Sequence, residues 1–91
     1  MKEEDIERIR KALNTHHKWP GVYMFKFIVR GDNEKVAQVQ ALFNSKTAQI
    51  TVRSSSKGNF VSVTAREVMM SAEKVMEKYR QAAEIEGVMA L

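Results

Sequence analysis

Residues 22–30, VYMFKFIVR, narrow the possible folds more than any other segment. Tyr23, Phe25, Phe27 and Val29 recur at every second position, so an extended chain gathers them on one face, with Met24, Lys26 and Ile28 on the other. A strand that is apolar on one side and mixed on the other belongs in the interior of a sheet. That sheet needs a second layer against its apolar side and leaves its mixed side to another fate.

The rest of the chain supplies the partners. Residues 2–16 carry Ile6, Ile9 and Leu13 at helical spacing, with Glu3, Glu4 and Asp5 in the first turn and Arg10 and Lys11 later, the order the helix dipole favours. Pro20 stops that helix, and Trp19 beside it is placed to anchor the junction with the first strand. Gly31 and Asp32 break the strand, and Asp32 can cap a helix whose apolar stripe, Val36, Val39, Leu42 and Phe43, runs to about Asn44. Residues 47–54 and 60–68 alternate again and read as a hairpin around SSSKGN. A last helix over about 70–84, starting near Ser71, offers Ala72, Val75, Met76, Tyr79 and Ala83 to the core. Gly87 precedes a short closing strand, VMAL.

A helix followed by β-α-β-β-α-β predicts an α+β chain. Its compact solution is the ferredoxin-like sandwich, a four-stranded antiparallel sheet in the order 4-1-3-2 with two helices on one face. Residues 1–18 are then a helical extension and 20–91 the ferredoxin-like domain. The extension's stripe must be covered by the other sheet face, by an edge, or by a second copy of the chain.

Composition excludes more than it selects. There is no cysteine among the 91 residues, which removes disulfides and thiolate metal sites. No apolar run approaches the length of a membrane span, and the charged start is no signal peptide, so a cytoplasmic location is the default expectation. Fifteen Lys and Arg against eleven Asp and Glu give a formal charge of +4, which favours phosphates or acidic partners without choosing between them.

With these elements placed, SSSKGNFVSV (54–63), the Tyr-bearing helix after it, the short apolar C-terminus and Lys26 together resemble the YbeD-like family of small uncharacterised bacterial proteins. The likeness spans roughly residues 20–91. It implies the ferredoxin-like fold and a similarity to regulatory domains of the amino-acid-binding ACT type, and it implies no catalytic residues.

Two candidate sites follow. In the hairpin, Gly58 and Asn59 suit a turn for backbone reasons. The same loop could instead hold an anion through Ser54, Ser55, Ser56, Lys57, Asn59 and exposed amides, with Arg53 and Arg66 nearby. The second candidate is the sheet face away from the helices, where alternation places Lys26, Gln49, Thr51, Arg53, Phe60, Ser62, Thr64 and Arg66 beside Met24 and Ile28. Such a face is either solvated, covered, or a docking surface for a small anionic ligand or an acidic protein partner.

Other chemistries find less support. RNA-recognition motifs use this topology, but KGNFVSV provides only Phe60 as a stacking platform and has Val63 where an aromatic is expected, so nucleic acid is the weaker alternative. His16 and His17 are adjacent and lack the i, i+4 spacing of a metal pair, so no metal or other cofactor is expected. Arg30-Gly31-Asp32 lacks the glycine-rich cradle of an acylphosphatase, and no Ser-His-Asp spacing emerges, so no enzyme is expected. Met69, Met70 and Met76 are expected to pack in the core. An apolar edge at the closing strand, or the first helix, gives the chain a route to a homodimer.

Overall fold

The computed structural model describes residues 3–91. The side chains of Glu3 and Asp5, two of the three acids expected to favour the first helix's dipole, lie outside the described residues. The elements run α1 (Glu3–His16), β1 (Gly21–Arg30), α2 (Asn33–Gln40), β2 (Gln49–Ser54), β3 (Phe60–Met69), α3 (Ala72–Ala83) and β4 (Val88–Ala90). The sheet order is β2-β3-β1-β4 and every pairing is antiparallel, which is the expected ferredoxin-like order read from the other edge.

β1 and β3 pair along their full lengths, from Gly21↔Met69 to Arg30↔Phe60, and form the spine of the sheet. The period-two reading of β1 holds: Phe25, Phe27 and Val29 are fully buried and Tyr23 packs against them. From β3, Val61, Val63, Ala65 and Met69 join the same layer. Phe25 is the hub, with the rings of Tyr23, Phe43 and Tyr79 centred 4.8, 5.1 and 5.5 Å away.

Helix starts follow their caps. The Asp32 carboxylate accepts from the N–H groups of Glu34 and Lys35, and Ser71 Oγ accepts from the N–H of Lys74 at 3.2 Å. Because Ser71 satisfies an otherwise orphaned donor at the head of the helix that buries Ala72, Val75, Met76 and Tyr79, Ser71→Ala should cost about 1 kcal/mol. Urea unfolding will show this as a lower midpoint with an unchanged slope.

Three expectations need correction. α2 stops at Gln40, not near Asn44: the N–H groups of Leu42 and Phe43 bond three residues back, to Val39 and Gln40. This tighter turn still delivers Phe43 to the core, so burial of that residue did not require a longer helix. In α3 it is Ala82 that is buried while Ala83 is exposed, because the step from Tyr79 along the buried stripe is three residues. Met69 and Met76 are core residues as expected, but Met70, just past the end of β3, is 65% exposed.

The first helix does not take the other face of the sheet. α1 packs beside α3 in the helical layer, sending Ile6 and Leu13 into the common core, with an Arg10 Nε to Glu73 ion pair of 2.7 Å across the contact. That pair is exposed enough to contribute at most about 1 kcal/mol, so apolar burial holds the contact. All three helices therefore lie on one side of the sheet. The stripe of α1 is satisfied within the chain, and the motive for a dimer through that helix falls away.

Candidate functional site

The hairpin after β2 is built as a turn. Gly58 N–H donates to the Ser55 carbonyl at 2.9 Å, Ser55 N–H to the Phe60 carbonyl at 2.8 Å, and Phe60 N–H to Ser55 Oγ at 3.2 Å. Gly58 takes φ of +73°, the left-handed conformation that glycine adopts without a steric penalty. The carbonyl of Asn59 accepts from Gly31 N–H at 2.9 Å, which fastens the hairpin to the end of β1. The amides of Ser55, Gly58 and Phe60 are thus committed inside the turn and do not point at an anion. Ser54 pairs with buried Val61, on the helix-facing side, while Arg53 pairs with Ser62 on the opposite side; Arg53 shares a hollow with Ser54 and Ser55, and Arg66, opposite Gln49, stands away from the loop.

The bare face of the sheet is more coherent. Register sets its side chains in rows running from β2 through β3 to β1: Gln49–Arg66–Met24, Thr51–Thr64–Lys26 and Arg53–Ser62–Ile28, with Phe60–Arg30 at one end and Val68–Val22 at the other. Side chains in one row stand about 4.5–5.5 Å apart at Cβ, so each row is a continuous contact strip. Met89 of β4 extends the third row beyond Ile28. Arg53 and Arg66 share this face, and no helix covers it. Apolar members are unshielded: Val22, Met24, Val68 and Met89 are each more than half exposed, and Phe60 is 42% exposed.

The charge on this face is one-sided. Lys26, Arg30, Arg53 and Arg66 stand on it, and Lys57 sits in its hairpin, all exposed. Among the described residues none of the five has an ion-pair partner, and no Asp or Glu occupies the rows. Across the whole chain, the ten Lys and Arg that remain are outnumbered by the eleven Asp and Glu. The net positive charge of the protein is therefore the charge of the sheet face and its hairpin. Sequence reasoning missed Arg30, Val22, Val68 and Met89 here, although the alternation that placed Lys26 also places the first two at either end of β1.

Two hollows mark the margins of this surface. One beside the hairpin, lined by Ile28, Arg53, Ser54, Ser55, Phe60 and Ser62, has a volume of about 170 Å³. The other, about 400 Å³ at the Val22–Val68 end, has both Arg66 and Glu67 in its wall. Ligand pockets usually occupy about 300–1,000 Å³, so the first hollow is small for one and the second carries both signs of charge.

With the geometry in place, comparison with known families is informative. Residues 14–91 match a family described as "Protein of unknown function (DUF493)". The chain belongs to the DUF493 family. No curated protein and no solved structure matches it. In this DUF493 chain the match starts within the last turn of α1 and takes in the whole sheet, including every strand residue of the bare face. Among the described residues no helix is long and apolar enough to cross a membrane, and no group of three His, Cys, Asp or Glu is arranged to hold a metal ion.

A second concave region lies on the helical side, where α1 passes the end of β4. Tyr23 and Tyr79, from β1 and α3, meet there with their hydroxyls 2.8 Å apart. His17 stacks on Trp19 at 5.5 Å and meets Tyr23 edge-on at 5.3 Å. Burial, followed by the hydrogen bond and the charge of Tyr23, pushes the Tyr79 hydroxyl well above the ordinary phenol range, so it remains a neutral hydrogen-bonding group.

Proposed function

We propose that this DUF493 protein is a non-catalytic binding module that docks an acidic protein partner on the bare face of its sheet. The observation that carries the reading is the concentration of the chain's net positive charge, unpaired, on a surface that also exposes apolar side chains. Lys26, Arg30, Arg53 and Arg66 would meet carboxylates at the partner's rim. Val22, Met24 and Val68 at one end of the face and Met89 at the β4 edge would supply apolar contacts flanking the charged and polar middle row. Thr51, Ser62, Thr64 and Gln49 would accept or donate hydrogen bonds between them.

A macromolecular surface suits this plate better than a small anionic metabolite, because one of its hollows is small and the other carries both signs of charge. It also suits the plate better than single-stranded nucleic acid, since Phe60 alone offers a ring for stacking and each stacked base contributes only about 1–3 kcal/mol. The resemblance to YbeD-like proteins, and through them to ACT-type domains, supports a regulatory rather than an enzymatic role, in which the module acts by occupying its partner. The reading requires no cofactor.

A defined pair of probes tests it: a peptide alternating Glu and Leu, and an oligouridylate of similar length, each labelled for fluorescence anisotropy and each mapped by amide chemical shifts. The peptide should perturb rows 22–30, 49–53 and 60–68, and R53E/R66E should weaken its binding by at least about tenfold, since two exposed attractions become repulsions. Tighter binding of the oligouridylate than of the peptide, or perturbations confined to the helices, would overturn the proposal.

A further inference from the structure

The hollow beside Tyr23 and Tyr79 exists because β4 is short. β1 is ten residues long but pairs with β4 only over Phe27–Val29, so the stretch toward Tyr23 has no fourth strand beside it. α1 roofs the gap instead, and the space left has a volume of about 520 Å³, within the range of small-molecule sites. Ile9, Leu13 and Leu91 give it apolar walls. Its polar side chains are the two tyrosines and the imidazoles of His16 and His17; among the described residues no Lys, Arg, Asp or Glu side chain lines it.

The hydroxyl pair leaves a donor unassigned. Whichever tyrosine donates to the other, the acceptor still carries its own proton, and neither hydroxyl has another partner among the described residues. One O–H donor is therefore left over beside a largely apolar chamber. We infer that this chamber is a binding site for a small uncharged molecule with an aromatic or aliphatic body and a carbonyl oxygen, the oxygen accepting the free tyrosine proton and the body lying against Ile9, Leu13 and Leu91. A carboxylate fits less well because no cationic Lys or Arg is there to replace its hydration. The site is separate from the bare sheet face, and it stands or falls independently of the docking function proposed above.

The test uses 4-phenylbutan-2-one as the probe and 4-phenylbutyrate, the same body with a charged head, as its comparison. Amide and side-chain chemical shifts of the full chain are recorded during titration, together with the fluorescence of Trp19, the sole tryptophan. The ketone should shift Leu13, His17, Tyr23 and Leu91, and the acid should bind at least about tenfold more weakly. Y23F/Y79F should weaken the ketone by about tenfold, the worth of one hydrogen bond at the upper end of its usual range. Should that double variant unfold, Ala12→Phe serves in its place: Ala12 is an exposed residue of α1 at the rim of the chamber, and a ring there should fill the chamber and abolish binding without loss of fold. Equal binding of ketone and acid, undiminished binding to Ala12→Phe, or shifts absent from these residues would overturn the inference.

Discussion

Phe25→Ala is expected to remove about 3–5 kcal/mol of stability, the usual range for deleting a fully buried aromatic ring. Domains of this kind have about 5–15 kcal/mol in total, so the variant should be marginally folded, with its melting temperature lowered by roughly 15–30 °C. The size follows from position: Phe25 is fully buried at the centre of β1, and rings from β1, from the turn after α2 and from α3 converge on it. No small neighbour can collapse into the space, since Tyr23, Phe43 and Tyr79 are each held by their own element. Val22→Ala, three positions away on the bare face and 61% exposed, is the matched control and should change stability by no more than about 0.5 kcal/mol. If thermal and urea unfolding place Phe25→Ala within about 1 kcal/mol of the parent, the core is not organised around that ring.

The second large effect should come from a single methyl group. A Cβ on Gly31 would stand 2.5 Å from the carbonyl oxygen of Gly58, far inside van der Waals contact, and the obstructing atom is backbone rather than a side chain that could swing aside. Gly31→Ala should therefore cost about 1–3 kcal/mol through the forced shift of the hairpin or of the end of β1. The cost should be accompanied by loss of the Gly31 N–H to Asn59 carbonyl bond. Amide exchange is the informative measurement: in Gly31→Ala the amide at position 31 and those of residues 54–61 should lose protection, while those of α3 should keep theirs. Unchanged protection at 54–61 would mean that the hairpin does not depend on that close approach.

How far the sequence foretold these features depended on the range over which each is decided. Strand faces are decided locally, because the period of two allows only two arrangements, and the aromatic series Tyr23, Phe25, Phe27 leaves one. From that one parity the bare face follows, Arg53 and Arg66 included. Caps were equally legible: Asp32 and Ser71 act on amides two or three residues away.

The placement of α1 was not legible. Ile6, Ile9 and Leu13 declare that a stripe is buried but carry no information about which surface buries it, and the deciding partner, α3, lies some sixty residues along the chain. The Tyr23–Tyr79 pair was hidden for the same reason, being joined across 56 positions. Its only trace was that each tyrosine sits in a buried stripe with a polar tip that needs a partner. The end of α2 was misjudged because Phe43 is buried whether the chain reaches it as a helix or as a tight turn. The loop serines were ambiguous for a related reason: the residues that close a turn are also those that bind anions, and only the direction of the amides separates the two uses.

The segregation of charge has a further physical consequence. A positive plate backed by three helices whose own charges nearly cancel gives the molecule a permanent electric moment directed out of the sheet. In the field of an acidic surface the protein would rotate into register before touching it, shortening the search over orientations that usually limits encounter. Ionic strength should then slow its association while leaving the lifetime of any complex almost unaltered.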